Sequence, residues 1–249
     1  MSELEEEVQE QIEEVKKSTK FKLDDYLGEE SSEFFNKHKL LISIIGGILA
    51  FLIVGWFSYS ILYQYFIVTP NNEKSIELIW RQEAAGFDRE DWHSMINGDS
   101  LQTYKSLKNV IKEYGGYQGG RLAVYDLGIA YLNNEQYDEA IKTLKDVDFD
   151  DEIIATIALG AIGDAYMQKG NVTDAFNYYE KAYKRRDNEL TTPMFMMKAA
   201  FSKEMEKKYD EAKLIYQEII YKYQNSPLSV NAEKYLESLK LGAPVYQIN

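Results

Sequence analysis

The chain has 249 residues, no cysteine, two histidines and a formal charge of −13. The missing cysteines exclude disulfide frameworks, thiolate zinc sites and cysteine nucleophiles. The acidic balance argues against nucleic acid as a partner, because phosphate backbones are held chiefly by Lys and Arg. Only 4 prolines, with Ala, Glu, Lys, Leu and Tyr abundant, predict long uninterrupted helices and an all-α fold class.

Residues 2–17 (SELEEEVQEQIEEVKK) open on a capping-box pattern, Ser2 with Glu5. Leu4, Val8, Ile12 and Val15 recur at helical spacing. The stripe is narrow and the stretch strongly acidic, so either a helix that orders against a partner or a solvated spacer is expected. Residues 1–36 are therefore read as an acidic, partly helical tail. From Leu40 to Asn72 there is no charged side chain, and Leu40–Tyr63 is apolar for longer than the roughly 20 residues that span a bilayer. A cleaved signal would have a core of only about 7–15 apolar residues and a small-residue cleavage site, whereas Tyr65, Phe66, Ile67 and Val68 follow here. An uncleaved transmembrane signal anchor over 37–68 is predicted. Trp56, Phe57, Tyr59, Tyr63, Tyr65 and Phe66 mark its exit interface. Lys20, Lys22, Lys37 and Lys39 precede it, and Lys74 and Arg81 are the nearest cations after it. That bias keeps the N-terminus inside and puts the C-terminal domain outside. Ser43/Gly47 and Gly46/Ala50 form small-residue pairs that would let another membrane helix approach; glycine's general frequency in such helices is the plainer explanation.

Beyond Pro70 the pattern is helical. Glu73–Ala85, Arg89–Asn97 and Ser100–Tyr114 read as helices, with breaks at Gly98 and Gly115-Gly116, and the glycines 115, 116, 119 and 120 read as a turn. Then a register repeats. Gly128, Tyr131, Ala140, Leu144 and Val147 correspond to Gly163, Tyr166, Ala175, Tyr179 and Ala182, each displaced by 35 positions. The glycine precedes the alanine by twelve residues, which predicts a hairpin of two helices closely approached at small residues. Recurring turns at Asn134–Ala140, Gly170–Ala175 and Lys208–Ala212 carry Asp or Thr, expected to cap the second helix. A third, more degenerate unit runs through Ala200, Ala212, Tyr216 and Ile219, with Lys203 in the tyrosine position. Ser226-Pro227 opens a last helix to about Lys240.

This register resembles the tetratricopeptide repeat family, departing from it at the early tryptophan (Val124 and Leu159 here) and at the closing proline. The resemblance implies a helical-hairpin solenoid: a helical N-terminal part over 69–120, repeats over 121–225, and a capping helix and tail over 226–249. It also implies a groove lined by the first helix of each hairpin, which projects onto Tyr125, Ile129, Leu132, Asp164, Met167, Met194, Met197 and Phe201. Met194, Met196 and Met197 would equally serve as core.

No catalytic site, cofactor or metal site is expected. His38 and His93 lie apart without ligand spacing, His93 beside Trp92 reading as structural. The acidic run Asp146–Glu152 lacks the calcium-loop Gly at its sixth position and carboxylate at its twelfth, and its acids suit the next helix N-terminus. A single anchor with an outward repeat domain resembles the YfgM-type ancillary proteins of the bacterial Sec translocon and similar bitopic proteins of Bacteroidetes-like bacteria. That resemblance implies an inner-membrane scaffold with a cytoplasmic N-terminus and a periplasmic repeat domain, meeting translocon subunits, periplasmic chaperones or nascent chains. The alternative is a subunit of another envelope assembly, in secretion, lipopolysaccharide control or division.

Overall fold

The computed structural model describes residues 29–86, 90–98, 105–147 and 151–244. The tail helix expected over 2–17, the acids at 148–150 and the last residues, 245–249, lie outside them. The chain divides into two compact units, Met1–Gln64 and Tyr65–Asn249.

In the first unit, α1 (Glu29–Lys37) leads to α2 (Lys39–Tyr63), with His38 between them, its ring 4.7 Å from that of Phe34. α2 has 25 residues and none is buried. At about 1.5 Å per residue it is longer than the roughly 30 Å of a bilayer's hydrocarbon. Among the described residues one helical run, Lys39–Arg81, is long and apolar enough to cross a membrane by length and composition. Trp56 packs edge-on to Phe57, and Tyr59 stacks on Tyr63. The backbone passes through a π turn at Gln64–Val68, where uncharged aromatic and β-branched side chains follow one another.

The second unit is all helix among its described residues. α3 (Thr69–Gly86) buries Ser75 and Ile79. α4 (Trp92–Asn97) is capped by Asp91, which accepts from the Ser94 N–H, and ends at Gly98 with φ +83°. α5 (Leu107–Tyr114) is capped by Ser106. These two are shorter than the sequence pattern predicts. Glu90 turns with φ +55° ahead of α4 and residues 105 and 106 are not helical; the side chains of Asp91 and Ser106 supply the N-caps instead. Exposed His93 is not held by packing, although neighbouring Trp92 lies against the core.

α6 (Gln118–Asn133) then receives α3. Gly119 and Gly120 are in its first turn, so the expectation of one four-glycine turn holds only for Gly115 and Gly116. A Cβ on Gly119 would overlap the Ser75 carbonyl and stand 2.6 Å from the Ile76 nitrogen, and one on Gly120 would overlap the Tyr114 carbonyl. The Gly119 N–H donates to Ser75 Oγ (3.1 Å) and the Gln118 N–H to Asn72 Oδ1 (3.0 Å). Side chains of α3 thus satisfy two amides that α6 leaves open at its N-terminus.

Three hairpins follow: α6 with α7 (Tyr137–Lys145), α8 (Glu152–Gln168) with α9 (Val172–Arg185), and α10 (Thr191–Met205) with α11 (Tyr209–Lys222). α12 (Pro227–Lys240), capped by Ser226, covers the last. Consecutive helices pack against each other, and α8 also touches α6 and α10. Each hairpin turn has its middle residue in the left-handed region: Glu135 (φ 60°), Gly170 (φ 76°) and Lys207 (φ 60°). The residues at the second-helix N-caps are Gln136, Asn171 and Lys208, and only Asn171 caps with its side chain. The expected Asp or Thr caps are corrected accordingly. Asp138, Asp174 and Asp210 lie one or more residues inside the first turn, where the helix dipole favours carboxylates. Asp151 does cap α8, accepting from the Ile153 and Ile154 amides.

The repeated glycines admit side chains rather than bare backbone. A Cβ on Gly128 would come 2.5 Å from Leu144, and one on Gly163 2.5 Å from Tyr179. Ala140, Ala175 and Ala212 on the facing helices are fully buried.

Candidate functional site

The first helices of the hairpins, α6, α8 and α10, lie next to one another and carry all eight predicted groove residues. Leu132 near the end of α6 and Asp164 and Met167 on α8 come together at a pocket of about 450 Å³, with Tyr137 and Tyr179 on its wall. Tyr125 and Ile129 pack, half-buried, against the N-terminal core. Met194 and Met167 both lie against the cluster of Ala175, Tyr179 and Phe195. Met197 (5 % exposed) and Met196 (2 % exposed) are core, so Met197 is not available in a groove. Phe201 is edge-on to both Tyr235 (5.1 Å) and Tyr216 (6.2 Å), which ties it to the C-terminal packing. The predicted set therefore splits between one pocket and three cores.

Asp164 is the polar centre of that layer. Its Oδ1 accepts from Tyr179 Oη at 2.8 Å, and both carboxylate oxygens accept from Lys198 Nζ at 2.7 Å. The Lys198 ammonium also stands 5.8 Å from the Tyr179 and Phe195 rings. Lys198 is not among the predicted groove residues, although it lies 34 residues after Asp164, one repeat length on. That periodic offset between opposite charges is the signal that marks it.

Hairpins that recur every 34–35 residues, with small residues in register, match a known family. The tetratricopeptide repeat family matches residues 157–189 in one form and residues 122–147 and 195–226 in another. The chain carries three tetratricopeptide repeats. No curated protein and no solved structure matches it.

The tetratricopeptide units are joined by polar ties that hydropathy does not reveal. Thr173 Oγ1 in the second repeat donates to Glu206 Oε1 in the third at 2.6 Å. Glu206 also takes Lys208 at 2.8 Å, and hydrogen bonds from Lys208 and then Thr173 hold its carboxyl below the usual value. Lys203, in the degenerate tyrosine position, is 9 % exposed. Its ammonium sits 3.7 Å from the Phe176 ring centroid and 2.8 Å from Glu211. Buried Glu204 accepts from Tyr216 Oη at 2.6 Å. Burial, then the Asp187 carboxylate that accepts from its hydroxyl, pushes the Tyr223 phenol up. Burial and nearby Glu180 push Tyr183 up to about 12.

These titratable groups are engaged in packing bonds. Among the described residues there is no group of three His, Asp or Glu side chains suited to a metal ion. On α2, Ser43, Gly46, Gly47 and Ala50 are all exposed, and nothing lies within 4 Å of a Cβ built on either glycine.

Proposed function

We propose that the protein is a membrane-anchored scaffold: α2 crosses the bilayer and the tetratricopeptide repeats hold other protein chains. The observation that carries this reading is the pairing, in one chain, of three tetratricopeptide units with a 25-residue apolar helix of which no residue is buried. Such a helix left in water would expose its whole apolar surface, and hydrocarbon removes that cost. Helical repeats present extended surfaces built from rigid elements, and the pocket around Asp164 supplies a fixed carboxylate among polar side chains, with Leu132 and Met167 beside it.

The lysines before α2 support an N-in, C-out orientation, and in a bacterial inner membrane the repeats would then face the periplasm. By its resemblance to YfgM-type proteins, the scaffold would serve the Sec translocon, its periplasmic chaperones or emerging chains. A subunit of another envelope assembly has the same layout, and partner identity separates the two.

Alkaline carbonate extraction and protease treatment of spheroplasts test the anchor and its orientation. The protein is expected in the carbonate-resistant pellet, with the repeat domain digested in intact spheroplasts. A carbonate-soluble protein would remove the anchor, and a protected repeat domain would reverse the orientation and favour a cytosolic docking receptor. In-cell crosslinking followed by purification tests the partner, and consistent absence of translocon and chaperone subunits would end that assignment.

A further inference from the structure

At the other end of α8 from Met167, the C-terminal ends of α7 and α9 and the N-terminal half of α8 enclose a cleft of about 360 Å³. Val147 and Leu159 are partly exposed in its lining, Leu144 and Ile162 are almost fully buried behind it, and its rim is basic, with Lys145, Lys181 and Arg185. The Lys145 and Lys181 ammonium groups converge on one ring, that of Tyr178, at 5.8 and 4.5 Å from its centroid. Tyr178 is itself fixed by stacking on Tyr166 at 5.4 Å.

In a chain with 41 acidic and 28 basic residues, cations are readily neutralised. Lys184, one turn after Lys181, pairs with Glu180 at 2.7 Å. Lys145 and Lys181 instead share an aromatic ring, and among the described residues neither makes an ion pair. Two ammonium groups at one ring add their fields, so a carboxylate brought near gains from both. The helix dipole accounts for lysines at the ends of α7 and α9, but not for a cleft beside them that leaves Val147 and Leu159 partly exposed. A small inorganic anion would leave those two side chains uncovered.

We propose that this cleft docks an acidic segment of a partner protein, seating an apolar side chain on Val147 and Leu159 and flanking carboxylates at Lys145 and Lys181. The volume falls in the range of sites that take a ligand of side-chain size or larger. The basic rim would also draw an acidic segment toward an otherwise repelling surface. The cleft lies on a different edge of the repeats from the Asp164 pocket and does not depend on the membrane reading.

The test uses the full chain in a mild nonionic detergent and fluorescence anisotropy of a labelled ten-residue peptide of alternating Asp and Leu. Saturable binding is expected, weakening as salt is raised. The matching Asn/Leu peptide should bind about tenfold or more weakly, and K145Q/K181Q should weaken the Asp/Leu peptide by a similar factor, since two partly exposed ion pairs are worth about that much together. K145R/K181R keeps both charges and should retain binding, which guards against a folding defect in the glutamine variant. Lys198→Gln, at the other pocket, should leave the affinity unchanged. Absence of saturable binding, equal binding of the Asn/Leu peptide, or full affinity in K145Q/K181Q would overturn the proposal. Loss of binding only in Lys198→Gln would assign the peptide to the Asp164 pocket instead, and so overturn it too. Competition by inorganic phosphate or anionic vesicles as effective as by unlabelled peptide would reduce the cleft to a general anion site, with the same consequence.

Discussion

Gly163→Ala isolates what holds a tetratricopeptide hairpin of this chain closed. The new methyl would stand 2.5 Å from Tyr179 Cε1 and 2.6 Å from Cδ1, about 1 Å inside ordinary carbon contact. The ring is 2 % exposed, and its hydroxyl is held by Asp164 at 2.8 Å, so it cannot swing away and keep its hydrogen bond. Overpacking of this kind costs roughly 1–3 kcal/mol, and weakening the bond to a carboxylate adds up to about 1.5 kcal/mol. Alanine returns about 1 kcal/mol of helix propensity over glycine. The net expectation is a loss of about 2 kcal/mol, which for a domain of this size lowers the melting midpoint by roughly 4–8 °C.

Far-UV circular dichroism of the full chain in detergent, melted and titrated with urea, reads this directly. The decisive comparison is a double-mutant cycle with Tyr179→Leu, which removes the ring edge that the methyl would strike. In that background Gly163→Ala should be neutral or mildly stabilising, giving a coupling of at least about 1 kcal/mol. If Gly163→Ala matches the wild type, or costs the same in both backgrounds, ring packing is not the reason for glycine here.

The remaining expectations concern ties between repeats and the docking of α3. Gly119→Ala forces a Cβ into the Ser75 backbone, which cannot yield as a side chain can; undocking of α3 is expected, read as new limited-proteolysis cleavage between α3 and α6. Lys198→Ala removes both hydrogen bonds to Asp164, yet both side chains are about one-third exposed; a loss of about 1 kcal/mol is expected by urea titration. Glu206 has a folded-state pKa below its ordinary 4.5, first through Lys208 and then Thr173. Its stabilisation is therefore complete above that ordinary value and lost as pH falls through the lower folded value. Glu206→Gln should lower the melting midpoint at pH 7 and bring it toward the wild-type value in the acid range below 4.5, and parallel curves for the two proteins would contradict this.

Much of the architecture is legible in one dimension because its causes are local or periodic. The uncharged run after Lys39 declares a long apolar helix, and Gly128, Ala140, Gly163 and Ala175 declare a hairpin and its period by spacing alone. Ser226-Pro227 likewise opens α12 as its chemistry requires. Pairings across 34 to 46 residues have another origin. Asp164 with Lys198, and Asn72 and Ser75 with the amides of Gln118 and Gly119, depend on which helix faces meet. Met197 falls into the core because α11 and α12 cover that side of α10, and no pattern within α10 distinguishes its faces when nearly every side is buried. Periodicity fixes which side of a helix is apolar; only the neighbouring helices settle which apolar residue remains in reach of a partner.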